Sequence, residues 1–150
     1  MRTKVKDILA DKGHDVWAVS PQSTVYDAME EMAGRKVGAL AVTSDEQLVG
    51  IISERDYARK VILMGKSSKE IPVSEIMTTD VVCVSDEERV DECFALMTHK
   101  HVRHLPTLNG DELVGMISVG DLVKSINKEN TLTIEQMEQH IRRVEQYIYR

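Results

Sequence analysis

The heptapeptide Gly50-Ile51-Ile52-Ser53-Glu54-Arg55-Asp56 is answered 65 positions later by Gly115-Met116-Ile117-Ser118-Val119-Gly120-Asp121. No other feature of the chain limits its fold as tightly, because similarity at a fixed spacing means one supersecondary unit used twice. Each copy closes an apolar, β-branched run (Leu48-Val49-Gly50-Ile51-Ile52 and Leu113-Val114-Gly115-Met116-Ile117) and opens an amphipathic one. Ser and Asp therefore fall where a strand hands over to a helix. A helix N-terminus offers unpaired N–H groups and partial positive charge, so Ser53 and Ser118 are candidate phosphate donors. A carboxylate one turn in can accept both hydroxyls of a ribose, which makes Asp56 and Asp121 candidate ribose ligands. Gly50 and Gly115, inside the strands, permit a close approach to the backbone, for which a flat base is one candidate. The same Ser-x-x-Asp spacing is also a capping box, which satisfies helix donors and binds nothing. From the residues alone, both readings stand.

The repeat reaches well beyond the heptapeptide. Val5-Lys6-Asp7-Ile8-Leu9 returns as Val73-Ser74-Glu75-Ile76-Met77, and a strand at 16–20 matches one at 81–85, the first copy arriving through a longer loop at 11–15. Apolar residues Val25, Ala28, Met29 and Met32, answered by Val90, Cys93, Phe94 and Met97, predict one helix per copy. Ser85-x-x-Glu88 predicts the cap of the second. Residues 37–43 pair with 48–52 across Ser44-Asp45-Glu46-Gln47, and 102–108 with 113–117 across Asn109-Gly110-Asp111-Glu112, whose Asn-Gly is a hairpin signal. Tyr57, Ala58, Val61 and Ile62, answered by Leu122, Val123 and Ile126, form a last helical face. The expected fold is α/β: two β-α-β-β-α repeats, at 5–64 and 73–127, joined by a polar linker at 65–72. A C-terminal amphipathic helix follows at 131–149, with Ile134, Met137, Ile141, Val144 and Ile148 striped behind a Thr133-x-x-Gln136 cap. One unit alone has too much surface for its core, so the two are expected to stack. The apolar faces of Val25/Met29/Met32, Val90/Phe94/Met97 and Tyr57/Val61 exceed what a small double unit covers, which predicts a homodimer or a higher oligomer.

Charge and composition exclude several classes. A net charge of −6 gives no general basic footprint for nucleic acid. No apolar run approaches the roughly 20 residues that span a bilayer, and the start carries no signal-peptide pattern, so a cytoplasmic protein without a membrane partner is expected. The two cysteines, Cys83 and Cys93, match no C-x-x-C pattern and read as buried thiols.

Two β-α-β-β-α units, each ending in Gly-apolar-apolar-Ser-x-x-Asp, resemble a tandem pair of cystathionine-β-synthase (CBS) domains, also called a Bateman module. The likeness covers about residues 5–127. Ser53-Glu54-Arg55-Asp56-Tyr57-Ala58-Arg59-Lys60, with Gly65-Lys66-Ser67-Ser68, resembles a stand-alone bacterial and plant organellar branch of that family. The resemblance implies a pseudo-two-fold arrangement and a regulatory role toward a protein partner, as in energy sensing. It implies adenosine ligands (AMP, ADP, ATP, NAD(H) or S-adenosylmethionine) in clefts between the repeats. It maps the ribose role onto Asp56 and Asp121 and the neighbouring hydroxyl onto Ser53 and Ser118. The phosphate role falls on Arg103 and His104, and the adenine cleft on the first strands at Trp17, Val19, Val82 and Val84, together with Gly50 and Gly115. The positions of the first repeat that match Arg103 and His104 are Gly38 and Ala39, so the two clefts are expected to differ.

Arg55, at the turn, has the fork geometry to take a phosphate, whereas Arg59 reads as a solvated helix residue. Trp17 reads equally as a core residue, and the Met29/Met32 stripe reads as core. His99, His101 and His104 raise a metal site as an alternative, and with it a small metal-dependent enzyme, but no nucleophile–base–orienter set is legible. The expectation is a nucleotide-sensing regulator without catalysis or enzyme cofactor, against a purely structural dimerisation module whose Ser-x-x-Asp turns are caps.

Overall fold

Two antiparallel hairpins, each with a short parallel strand beside it, form the framework of the chain in its computed structural model. The structure describes residues 2–148, apart from the side chains at positions 132, 133, 140, 145, 147 and 148. In chain order the elements are α1 (Val5–Lys12), β1 (Ala18–Val19), α2 (Val25–Arg35), β2 (Ala39–Ser44), β3 (Gln47–Ser53) and α3 (Glu54–Tyr57). A π-helical turn at Ala58–Ile62 and a 3-10 turn at Val73–Glu75 lead to β4 (Val84–Ser85), α4 (Val90–Lys100), β5 (His104–Asn109), β6 (Glu112–Ser118) and α5 (Val119–Ile148). The strands make two three-stranded sheets, β1-β2-β3 and β4-β5-β6, with the same mixed pairing. The expected α/β pair is thus present. Both hairpins carry a register shift at the same place, between Val42 and Thr43 and between Thr107 and Leu108. Asp45 and Glu46 turn the first hairpin with positive φ at both residues (50° and 65°), the sense that suits twisted strands.

What the repeat does not announce is an exchange of segments. Val5, Ile8 and Leu9 of α1 lie in the core of the second sheet, with Val84, Val90, Cys93, Met97, Leu105, Ile117 and Leu122. Val73 and Ile76, which open the second copy in sequence, lie in the core of the first, with Val25, Ala28, Met32, Leu40, Val42, Ile52 and Val61. Backbone bonds seal both crossings: Val5 N–H to Glu88 O (2.9 Å) and Val90 N–H to Thr3 O (3.0 Å) on one side, Val73 N–H to Ser23 O (2.8 Å) and Val25 N–H to Ile71 O (3.0 Å) on the other. These bonds correct the expected cap of α4. The Ser85 hydroxyl accepts from Glu87 N–H in a turn, and α4 begins later, after Arg89, with no side-chain cap. The incoming N-terminal backbone meets the exposed donor of Val90 instead. In α2 the side-chain cap is Thr24, which accepts from Asp27 N–H at 3.1 Å.

The strand glycines are explained by the same exchange. A Cβ on Gly50 would lie 2.8 Å from Met77 Sδ and 3.0 Å from Thr78 O; one on Gly115 would lie 2.5 Å from Leu9 Cδ2. The close approach they permit is taken up by the chain itself, by Met77 and Thr78 at Gly50 and by Leu9 at Gly115.

A further expectation changes. No glycine or proline occurs from Asp121 to Ile148, so the last helix of the second repeat and the tail are one 30-residue helix, in which Thr133 and Gln136 are interior. At about 1.5 Å per residue it is about 45 Å long. Ile134, Met137, Ile141 and Val144 are exposed on it; the Thr133 and Ile148 side chains and residue 149 lie outside the described residues. Of the faces expected to await a partner, Val25, Met32, Val61, Val90 and Met97 are core, Met29 and Tyr57 are half-buried, and Phe94 is exposed. Among the described residues, no helix is long and apolar enough to cross a membrane.

Candidate nucleotide cleft

At the C-terminal end of β3, Ser53 and Asp56 close a reciprocal capping box. The Asp56 carboxylate accepts Ser53 N–H (3.0 Å) and Asp56 N–H donates to the Ser53 hydroxyl (3.3 Å). The Asp56 Oδ2 atom also takes the Ser53 hydroxyl (3.1 Å), while Oδ1 receives Thr78 Oγ1 (3.3 Å) and Lys60 Nζ (3.0 Å). The side-chain partners thus fill the acceptor sites of a largely buried carboxylate. Lys60 reaches it from the π-helical turn and also donates to Ile76 O at 2.9 Å. Ser118 and Asp121 form the same box, with Ser118 N–H on Asp121 Oδ2 (2.9 Å) and Asp121 N–H on Ser118 Oγ (3.2 Å). The capping geometry is therefore present in both halves, and whether either turn also binds depends on what surrounds it.

Around Asp56 the surroundings form a cavity of about 250 Å³. Its walls bring together residues far apart in sequence: Ser53, Arg55, Asp56 and Arg59 from the first repeat, Thr78, Asp80 and Val82 from the crossing segment, and His101, Arg103 and His104 from the second repeat. Thr78 is held over β3 by mutual backbone bonds with Ile51 (2.9 and 3.0 Å), which lead residues 80–82 along the cavity wall. His101 ends α4 in the left-handed conformation (φ 55°), uncommon outside glycine, and its carbonyl accepts Arg55 Nη1 at 3.3 Å. The Arg103 carbonyl accepts Val119 N–H (2.9 Å), which fixes the start of β5 against the β6–α5 junction. The His104 ring packs over Gly38: a Cβ there would sit 3.4 Å from His104 Cε1. The bare Gly38 of one repeat thus lies at contact distance from the His104 ring of the other.

Burial pushes the His104 imidazole below its ordinary value, Lys12 and Arg103 push it the same way, and Asp121 opposes them. Burial tends to raise the Asp121 carboxyl, but the Lys12 ammonium and the Ser118 donors outweigh it and hold the group below the usual carboxylate range. Burial lifts the Cys93 thiol to about 11, consistent with an inert core thiol.

The expected site residues divide. Ser53, Arg55, Asp56, Val82, Arg103 and His104 share the cavity; Arg59, read as solvated, lines it too. Asp121 instead lines a groove of about 590 Å³ between α1 and α5, beside Lys12 and Lys124. Of the adenine-cleft positions other than Val82, Val84 is buried in the second core, because β4 begins only there and turns it inward. Val19 and Trp17 pack on the first core, with Arg35 stacked 3.8 Å over the indole. Among the described residues no three His, Cys, Asp or Glu side chains come together as a metal site, and His99 lies in the last turn of α4. Sequence reasoning missed Lys12, Lys60, Thr78 and Asp80, which reach the two aspartates or the cavity through the segment exchange or a helix end, and read His101 only as part of a metal alternative.

The CBS domain family model matches residues 5–62 and 73–128. The mitochondrial CBS domain-containing protein CBSX3 of Arabidopsis thaliana is 35% identical over 93% of this chain and 72% of its own. The structure of a putative signal-transduction protein with CBS domains from Burkholderia ambifaria has a TM-score of 0.80 at 48% identity, covering 83% of this chain and 93% of that one. The CBS domain pair of protein MJ0100, crystallised with 5′-methylthioadenosine and S-adenosyl-L-methionine, has a TM-score of 0.77 at 23% identity over 86% of this chain and 99% of that one, a likeness of fold alone.

Proposed function

The chain belongs to the CBS-domain family, whose paired repeats form regulatory modules, and from that premise we propose that it senses adenine nucleotides, or an adenine dinucleotide, in the cavity between Asp56 and Arg103. The observation that carries this reading is the convergence, in one cavity, of Ser53 and Asp56 at a helix start with Arg55, Arg59, Arg103 and His104. A structural module would need the caps but not the facing cations. The ribose diol takes the place of the weakest partner of Asp56, the Thr78 hydroxyl. The phosphates lie toward Arg55, Arg103 and His104, and Val82 meets the base. No catalytic set is part of this reading, and MJ0100 illustrates that a pair of this fold accommodates adenosine compounds.

Thermal melts with AMP, ADP, ATP and NAD at pH 7.5 and pH 5.5 test it. Ligand at 100 times its Kd should stabilise the fold by about 2.7 kcal/mol. His104, folded, gives up its proton more readily than an unfolded histidine, so the ligand-free protein should lose stability as pH falls through 6.5. A bound phosphate favours His⁺, so affinity should rise over the same interval, once the ligand's own second ionisation near 6 is allowed for. His104→Ala should flatten both trends. No stabilisation by any of the four compounds would return the turns to caps.

We also assign self-association to a second copy of the chain through α5. Ile134, Met137, Ile141 and Val144 recur at steps of three and four, with isoleucine at both leading positions, a pattern suited to a paired helix. Truncation after residue 130 should yield a monomer by light scattering while the two cores stay folded; a dimer that survives truncation removes α5 from the interface.

A further inference from the structure

His104 ties the cavity to the other half of the molecule. Antiparallel pairing of β5 with β6 sets it opposite Ser118, and directly opposite residues send their side chains to one face of a sheet. Ser118 is also the cap partner of Asp121, with Ser118 N–H on Asp121 Oδ2 (2.9 Å) and Asp121 N–H on Ser118 Oγ (3.2 Å). The imidazole and the second carboxylate therefore share a neighbour. Asp121 in turn holds the Lys12 ammonium at 2.7 Å, and the same ammonium donates to Met116 O at 2.8 Å, two residues back along β6. An ion pair between α1 and α5 thus stands beside a histidine that lines the Asp56 cavity.

The His104 ring is half-buried against Gly38, so water screens its charge weakly and neighbouring ions count for more. Burial disfavours the protonated ring most, Lys12 and Arg103 add to that, and Asp121 opposes them. Other ionisable groups meet the ring from the cavity side. Glu54 Oε1 lies 3.9 Å from where a Cβ on Gly38 would stand, and Arg55, Asp56, Arg59, Asp80 and His101 line the same walls. All of these stay in place when Lys12 or Asp121 is substituted.

Building on the proposed nucleotide reading, we infer that the Lys12–Asp121 ion pair regulates the Asp56 cavity from outside it, acting through His104. Loss of the Lys12 charge lets His104 keep its proton to higher pH, and the phosphate gains a cation. Loss of the Asp121 charge does the reverse, because it removes an anion and leaves Lys12 uncompensated beside the ring. A direct effect of either charge on the nucleotide has the opposite sign, since a cation attracts phosphate and an anion repels it. The coupling is reciprocal. A nucleotide that draws a proton onto His104 makes the ring attract Asp121 and repel Lys12, whose stem has room in the groove lined by Asp7, Asp11 and Glu129.

Nuclear magnetic resonance of the full, ligand-free chain tests the first step. The His104 Cε1–H signal, assigned by its loss in His104→Gln, is titrated with pH in wild type, Lys12→Arg, Lys12→Met and Asp121→Asn. Arginine keeps the charge, methionine keeps an unbranched stem, and asparagine can still accept Ser118 N–H. The midpoint should stay near wild type in Lys12→Arg, rise in Lys12→Met and fall in Asp121→Asn. Calorimetric titration with AMP at pH 6 and pH 8 tests the second step. At pH 6 Lys12→Met should bind AMP about two- to fivefold more tightly than wild type and Asp121→Asn more weakly by a similar factor, whereas at pH 8 Lys12→Met should show no tightening. The ligand's own ionisation is common to every protein and cancels. In a His104→Gln background neither the tightening nor the weakening should remain. Midpoints that do not move overturn the inference, as do AMP affinities that ignore a moved midpoint or changes that persist without His104. None of these results touches the nucleotide reading. Conversely, wild type that binds no AMP while the midpoints move as stated would sink the nucleotide reading and leave the control of His104 by the ion pair standing.

Discussion

Leu9→Ala should destabilise the protein by about 2 to 5 kcal/mol, although Leu9 precedes both hairpins and belongs, in sequence, to the first repeat. It is buried in the core of the second sheet, with its Cδ atoms over Gly115, and truncation leaves a void that a strand glycine cannot fill. Gly115→Ala should destabilise for the opposite reason, by about 1 to 3 kcal/mol, because its Cβ would lie 2.5 Å from Leu9 Cδ2. The double substitution places a methyl group in the space the leucine vacates. It should be less destabilised than the two single effects combined, with a coupling of at least about 1 kcal/mol. Urea midpoints at constant m measure all four proteins. Additivity within about 0.5 kcal/mol would mean that α1 does not pack on β6 as described. Substituting Met77, which stands over Gly50 in the other half, should couple to Gly50→Ala in the same way.

Arg103→Ala should lower nucleotide affinity ten- to a hundredfold. Charge-assisted hydrogen bonds contribute about 1.5 to 3 kcal/mol each, and the arginine fork can hold two oxygens. His104→Ala should have a smaller effect at pH 7.5, where the imidazole is neutral because its site pushes it below the ordinary value. Asp56→Asn is the sharper probe of the ribose end, since an amide oxygen can still accept Ser53 N–H and keep the cap while the charge is lost. It should weaken AMP binding by one to two orders of magnitude, and 2′- and 3′-deoxy analogues should lose much of that difference. Calorimetric titration of wild type and these variants reads each effect. Were Arg103 an ordinary surface residue, its removal would change stability and binding by less than about 0.5 kcal/mol; equal affinities in wild type and Arg103→Ala would take the basic pair out of the site.

The sequence by itself determined the repeated unit, the hairpins, the strand-to-helix turns at Ser53 and Ser118 and the family, because alternation, helical periodicity and turn chemistry act over a few residues and recur 65 positions later. It also marked the inequality of the halves, since Gly38 and Ala39 stand bare where Arg103 and His104 are basic. Tertiary structure alone decided which segment joins which core. A run such as Val5-Lys6-Asp7-Ile8-Leu9 carries an apolar stripe that either sheet could bury; the choice rests on backbone bonds from Thr3 and Val5 to residues 88–90 and on the fit of Leu9 over Gly115. The partners of the two aspartates follow from that choice, Thr78 for Asp56 and Lys12 for Asp121. Neither is legible in the local sequence, because a carboxylate takes whichever donor the fold brings within reach. For the same reason the unbroken α5 hid behind a plausible cap at Thr133: with helix formers on both sides and nothing to stop the chain, the helix continues through it.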